Sequence, residues 1–214
     1  MRIIITAGAT REFIDPIRFI TNPSTGNMGY ALAEAALKRE HKVILISGPV
    51  NLSPPKGAKV ISAVTAQDMF KAVKKNFKRA DCLIMSAAVA DFRPKAPAPH
   101  KIKKAGQGPV TKIELVQNPD ILEWAGRNKS GRQLTVGFCM DTKNIIAEAK
   151  RKLSQKRADI IAANIVNKHN PAFGSGRTTV YILQKGAAAK KTRPVSKKRA
   201  GEILLDKIEG LWYK

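Results

Sequence analysis

Short apolar runs that close on small residues, each followed by a stretch of helical period, constrain this chain more than any other feature. Residues 2–6, Arg-Ile-Ile-Ile-Thr, read as a continuous apolar run with β-branched Ile and Thr, suited to a strand buried on both faces. A second such run, 42–47, closes on Gly48-Pro49, and further strands are predicted at 60–63, 81–87, 134–138, 158–163 and 178–184. Between them lie helical patterns. Gly26 to Arg39 places Met28, Leu32, Ala35 and Ala36 on one face, and a helix over 66–78 behind a Thr65 cap carries Met69, Phe70 and Val73. A helix is predicted from Pro119 behind an Asn118 cap, another over 143–156, and a last one capped by Ser196 whose Leu204, Ile208 and Leu211 share a face. Strands alternating with helices imply right-handed crossovers. The predicted fold is therefore α/β and Rossmann-like, a mostly parallel sheet with helices on both faces.

In such sheets ligands bind beyond the carboxyl ends of the strands, so the loops after residues 6, 87, 138 and 163 are the places to look for chemistry. The stretch 7–25 reads as a polar loop. Residues 93–110 hold Pro94, Pro97, Pro99, Gly106 and Gly108 and carry Lys101, Lys103 and Lys104, a composition that opposes helix and predicts a projecting arm or flap. Residues 111–117 alternate and are expected to pair as an antiparallel ribbon, so the arm spans 93–117 of a single domain covering 1–214. No internal repeat is visible.

The charge is lopsided: 39 Lys and Arg against 16 Asp and Glu, a formal +23. That attracts anions, either polymeric, such as RNA, or small and phosphorylated. Aromatics make up only 6% of the chain, and no RNA-recognition or zinc-finger spacing occurs, so a dedicated nucleic-acid binder is not expected. No apolar run is long enough to span a bilayer, and the opening apolar stretch is too short for a secretory signal, which makes the cytoplasm the default location. Cys82 and Cys139 lie inside apolar runs and read as buried thiols. The histidines, 41, 100 and 169, are scattered and read as peripheral.

The loop after the first strand, Thr6-Ala-Gly8-Ala-Thr10, is neither a dinucleotide fingerprint nor a P-loop, though its glycine can offer backbone N–H groups to a phosphate. In Asn22-Pro-Ser24-Thr25-Gly26-Asn-Met-Gly29, Ser24 and Thr25 are placed to cap a helix, and Gly26 and Gly29 leave a face open to an anion at the positive helix end. Met85-Ser86-Ala87-Ala88-Val-Ala-Asp91 supplies small residues above a strand end, with a carboxylate at the rim. Lys152 and Lys156 share a helix face. Each element also has a plainer reading, as turn, cap or solvated charge.

Together these runs resemble the phosphopantothenoylcysteine synthetase (phosphopantothenate–cysteine ligase) family. The resemblance rests on Thr6 to Asn22, Ser24-Thr25-Gly26, Met28-Gly29, Ala87 to Pro94, Lys101-Ile-Lys-Lys104, Asn118-Pro-Asp-Ile121, Val136-Gly-Phe138 and Ala163-Asn164, in that order. It implies an enzyme that activates the carboxylate of 4′-phosphopantothenate with CTP and Mg2+, forming an acyl-cytidylate that cysteine converts to an amide. CMP and pyrophosphate are released, and ATP stands as the alternative nucleotide. It further implies that Asn22 holds the acyl-nucleotide and that Lys101 stabilises charge during nucleotidyl transfer. Gly8, Ser24, Gly26, Gly29, Met85, Ser86, Ala87, Asp91, Pro119, Asp120, Ile121, Leu122, Phe138, Lys152, Lys156 and Asn164 are implied to line the nucleotide site with Lys101. Ala87, Ala88 and Asp91, with Asn22, are implied to touch phosphopantothenate; no residue is assigned to the metal. A homodimer is implied, as is a flavin-dependent decarboxylase partner, to which many bacterial members are fused. None precedes this chain, which reads as a standalone ligase or an excised domain.

The chain departs from the family pattern at Ala9, where glycine is common, at Asn27 in place of lysine, at Cys139-Met140-Asp141, and at Ile165 where aspartate is common. Two other classes fit less well. A nicotinamide oxidoreductase lacks support, since neither G-x-G-x-x-G nor a fitting Tyr-x-x-x-Lys occurs. A basic RNA-binding module rests on the charge alone.

Overall fold

The computed structural model describes residues 1–104, 111–165 and 176–213. Gly106, Gly108 and His169 lie outside them. In chain order the elements are β1 Arg2–Ala7, β2 Arg11–Phe13, β3 Phe19–Thr21, α1 Asn27–Lys38, β4 Lys42–Ser47, β5 Lys59–Ser62, α2 Ala66–Phe77, β6 Cys82–Met85 and β7 Phe92–Pro94. They continue as β8 Leu115–Gln117, α3 Ile121–Asn128, β9 Leu134–Asp141, α4 Ile145–Gln155, β10 Ile160–Ile165, β11 Tyr181–Gln184, β12 Lys190–Lys191 and α5 Lys197–Trp212.

An eight-stranded sheet runs β5-β4-β1-β6-β9-β10-β11-β12. The first six are parallel and the last two antiparallel. Numbered by appearance, the parallel strands read 3-2-1-4-5-6, the doubly wound order whose direction of winding reverses between β1 and β6. Ile3, Ile4 and Ile5 of β1 are all 0% exposed, which explains why this strand reads as an unbroken apolar run rather than an alternation. Ile3 and Ile5 face α1 and α5; Ile4 faces α2 and α3, and α4 covers Ile161 and Ala163 of β10 on that second face. Each fully buried isoleucine contributes roughly 1.5–3 kcal/mol. The predicted Rossmann-like sheet with helices on both faces is what forms.

Local signals explain several boundaries. Thr65 accepts from the Asp68 amide at 3.1 Å while Asp68 accepts from the Thr65 amide at 3.0 Å, a reciprocal cap that starts α2 where predicted. Asn118 does not cap α3. Its Nδ2 donates to the Ala90 carbonyl at 2.9 Å, and Asp120 caps instead, accepting from the Glu123 amide at 2.8 Å. The strand predicted at 134–138 continues to Asp141, because the ladder with β10 extends through Cys139↔Ala163 to Asp141↔Ile165. The strand predicted at 178–184 is shorter: Thr178 turns aside to exchange backbone bonds of 2.7 and 3.0 Å with Val195, just ahead of α5.

The supposed polar loop 7–25 contains the hairpin β2–β3, whose three-residue strands are too short to leave a periodic trace. It is tied to α2 by buried Glu12, which accepts from the Ala66 amide at the start of that helix at 2.9 Å. The ribbon expected over 111–117 forms only at 115–117, where β8 pairs antiparallel with β7. His41 is not peripheral. It is 6% exposed, and its Nε2 lies 2.8 Å from Glu209, which also takes Arg39 at 2.7 Å and so ties the end of α1 to the end of α5. The two helices therefore run side by side in the same direction. Both cysteines are buried and free, as expected.

Candidate functional site

At the reversal point the loop after β1 is stitched to the loop after β6. Thr6 Oγ1 accepts from the Ala87 amide at 3.1 Å, the Ala88 amide donates to the Gly8 carbonyl at 2.8 Å, and Thr10 Oγ1 accepts from the Ala90 amide at 3.0 Å. Asn22, arriving from the hairpin, donates its Nδ2 to the Ala88 and Val89 carbonyls at 3.3 and 3.4 Å. Thus Gly8, Asn22 and Ala88 converge although they are far apart in sequence.

A cleft opens beside this seam. Its walls include Ser24, Gly26 and Gly29 at the start of α1, Met85, Ser86, Ala87 and Ala88 after β6, Phe138 of β9 and Asn164 of β10. All nine are among the residues singled out from sequence. Among the described residues no aspartate or glutamate lines it, while Lys197 does, and the N-termini of α1 and α5 open beside it.

The glycines act differently from expectation. Gly26, with φ of 80°, holds the left-handed turn that begins α1, and neither Ser24 nor Thr25 caps the helix with its side chain. Ser24 Oγ accepts only a long 3.4 Å bond from the Gly26 amide. Gly29 faces the sheet: a Cβ there would lie 2.5 Å from Ala7 Cβ and 2.9 Å from the Thr6 carbonyl oxygen. Its missing side chain lets α1 press against β1, so that Gly29 meets the cleft through its backbone beside Ser24–Met28.

Other singled-out residues lie away from the cleft lining. Asp91 is exposed, with its carbonyl bonded to the Asn118 amide at 2.8 Å. Asp120 is spent on capping α3 and on Lys156, 2.8 Å away; Lys156 also pairs with Glu123 at 2.9 Å. Burial alone would lower the Lys156 ammonium, but these carboxylates raise it above its ordinary value. Ile121 is buried under α2, with Leu122 packed beside it, and Pro119 is half-buried. Lys152 sits by the Cys139 thiol, which burial pushes up despite that ammonium.

Lys101 is exposed, but its stretch of the arm is docked rather than free. The Ala98 amide donates to the Ile14 carbonyl at 2.8 Å, the Ile102 amide donates to Asp15 at 3.2 Å, and Arg18 donates to the Ile102 carbonyl at 2.6 Å. Asp15 is 1% exposed. Burial would raise its carboxyl, but the amides of Arg18, Ile17 and Ile102 and the Arg18 guanidinium hold it well below the usual carboxylate range.

Sequence reasoning missed Thr178, Val180 and Lys197, which line the cleft from the segment leading into β11 and from the start of α5. They come from the antiparallel edge, which the rule of parallel strand ends does not cover. The only trace was Ser196 as a cap, which fixed where α5 starts but not where it points.

Sheet order and cleft together define a Rossmann-like α/β protein with a crevice at its switch point. The chain belongs to the DNA/pantothenate metabolism flavoprotein C-terminal domain family, whose model matches residues 1–211. It is 44% identical to the coenzyme A biosynthesis bifunctional protein CoaBC of Bacillus subtilis over 98% of this chain and 51% of the relative. The CoaBC of Escherichia coli K12 is 40% identical over 97% and 51%. A crystal structure of the C-terminal domain of a CoaBC superposes with a TM-score of 0.83 at 38% identity, covering 98% of this chain and 94% of that one. The chain spans about half the length of the curated relatives it matches. The family resemblance read from the sequence therefore stands.

Proposed function

We propose that this chain is a phosphopantothenate–cysteine ligase of coenzyme A biosynthesis that uses CTP. A carboxylate oxygen of 4′-phosphopantothenate attacks the α-phosphorus of CTP, the bond to the bridging oxygen breaks, and pyrophosphate leaves. The cysteine amine then attacks the acyl carbon of the acyl-cytidylate, CMP departs, and the amine proton passes to solvent. A free carboxylate is a poor electrophile, and nucleotidyl transfer supplies its leaving group; the protein has to position the partners and balance charge.

The observation that carries this reading is the cleft at the sheet's reversal point, free of acids among the described residues and walled by two helix N-termini, in a chain of which 98% aligns with a coenzyme A biosynthesis protein. Asn22, fixed by its amide to the loop that follows β6, is proposed to hold the acyl-cytidylate. Lys101, beside the docked Ile102, is proposed to reach the reacting phosphates. Among the described residues no group of three His, Cys, Asp or Glu could hold a metal, so Mg2+ is assigned to the substrate, as MgCTP.

Among the described residues no helix is long and apolar enough to cross a membrane, and a cytoplasmic setting is proposed from the substrates. Exposed Phe92 and Leu115 on the ribbon, with Phe19 on the hairpin, support the homodimer. The word "bifunctional" and the half-length coverage support a second activity in the remainder of the relatives, for which a flavin-dependent decarboxylase is the proposed partner.

The test is to incubate the protein with MgCTP, 4′-phosphopantothenate and cysteine and to assay CMP and pyrophosphate, with MgATP in parallel. Release that requires phosphopantothenate supports the ligase, and the better nucleotide settles CTP against ATP. Nucleotide hydrolysis indifferent to phosphopantothenate, or no release with either nucleotide, refutes it.

A further inference from the structure

Lys197 is the one charged side chain lining the cleft among the described residues. It opens α5, where the cap is already satisfied without it: Ser196 Oγ accepts from the Arg199 amide at 3.2 Å. A cation here faces the positive end of its own helix, an unfavourable place for it. It is also half-buried, and burial pushes its ammonium below the usual lysine value. No carboxylate or other acceptor relieves it among the described residues. Three other half-buried cations meet carboxylates, Lys129 with Asp159 at 2.6 Å, Lys156 with Asp120 at 2.8 Å and Arg39 with Glu209 at 2.7 Å, and three more have neutral partners: Lys152 lies by the Cys139 thiol, Arg11 over the Phe19 ring, and Arg93 donates to the Gln117 carbonyl at 2.7 Å.

A second polar group lining the same cleft is also unsatisfied. Ser86 Oγ is shielded from solvent and finds no hydrogen-bond partner among the described residues, which is costly for a hydroxyl unless a ligand completes it. Among the described residues, an unpaired ammonium and an unpaired hydroxyl thus share a crevice with no acid in it.

We propose that Lys197 is the ground-state counter-cation for a phosphate group bound in this cleft, with the Ser86 hydroxyl donating to the same ligand. The identity of that ligand rests on the ligase reading; the need for an anion rests on the cleft itself. The phosphate can belong to the nucleotide or to phosphopantothenate. Lys197 thereby differs from Lys101, which does not line the cleft and is assigned to the transfer step.

The experiment compares wild type, Lys197→Met and Lys197→Arg by calorimetric titration with MgCTP, with 4′-phosphopantothenate and with inorganic pyrophosphate, alongside thermal melts and steady-state kinetics. Lys197→Met is expected to weaken one of the two substrates by about tenfold or more, the worth of a charged hydrogen bond. KM for that substrate should rise while kcat at saturation holds, the salt dependence of its binding should flatten, and Lys197→Arg should recover most of the affinity. The free Lys197→Met protein should melt no lower than wild type, because an uncompensated charge has been removed. Unchanged affinity for both substrates and for pyrophosphate, or a lowered melting temperature with unchanged ligand-induced shifts, overturns the proposal. A wild type that binds pyrophosphate through Lys197 yet forms no amide leaves Lys197 in place and removes the ligase reading. A wild type that forms the amide with Lys197→Met indistinguishable from it does the reverse.

Discussion

Replacing Gly29 with alanine should destabilise the protein, against the usual effect of that change in a helix. Alanine in place of a helical glycine ordinarily stabilises by roughly 0.5–1 kcal/mol. Here the new methyl would lie 2.5 Å from Ala7 Cβ and 2.9 Å from the Thr6 carbonyl oxygen. Neither can swing away, since one is a methyl on the central strand and the other is backbone within its ladder. Relief requires α1 to lift from β1, and overpacking of this kind costs about 1–3 kcal/mol. The propensity gain offsets part of that, leaving a net loss of about 1–2 kcal/mol. For a chain of this size that corresponds to a fall in Tm of about 2–8 °C. The internal control is Gly210→Ala in α5, where nothing lies within 4 Å of the added Cβ; it should raise Tm by about 1–4 °C. Melting curves of the two variants beside wild type decide the matter. Because α1 carries the wall Ser24–Asn27, Gly29→Ala should also raise KM for the ligand of the cleft. If both alanines stabilise alike, α1 does not approach β1 this closely, and the account of Gly29 as a packing glycine is wrong.

Acid should act on the hairpin through Asp15. Its folded pKa is depressed, so its contribution is present above its unfolded value of about 4 and is lost as the pH falls through the folded value; Asp15→Asn should flatten the acid limb of the stability curve and speed exchange of the Ile102 amide, and an unaltered limb would show that the carboxylate is not pinned. Asn22→Asp should let acyl-cytidylate accumulate while amide formation collapses, read by quenched-flow product analysis, since a carboxylate cannot donate to the Ala88 and Val89 carbonyls; an unchanged overall rate removes Asn22 from the reaction. Lys101→Gln should depress pyrophosphate release in a single turnover with Tm nearly unmoved because the residue is exposed, whereas a large drop in Tm would make this lysine structural.

Burial pattern made the sheet legible. Strands covered on both faces have no choice but continuous apolar sequence, and β1 and β4 could be read almost residue for residue. What escaped were elements held by tertiary contacts rather than by their own periodicity. The β2–β3 hairpin is one, with three residues to a strand and its anchor, Glu12, reaching to α2. Gly29 shows a different limit, since an empty Cβ position serves a phosphate or a packed helix equally, and the residue type is silent on which.

The lysines pose that problem most sharply. With 39 basic residues against 16 acidic ones, most cations have no carboxylate to meet, so lack of a partner marks nothing by itself. What distinguishes a cation is lack of a partner combined with loss of water, and only packing can impose both. Lys156 appeared in sequence to be a ligand contact, yet α3 brings Asp120 and Glu123 to it, so the cost of its burial is met within the protein. Lys197 drew no attention, yet the turn at Thr178–Val195 and the packing of α5 along α1 set it in a crevice where no described residue neutralises it. Among the described residues Lys129, Lys156 and Arg39 have carboxylates beside them and this ammonium has no acceptor at all, so it carries an electrostatic deficit that an incoming anion would remove.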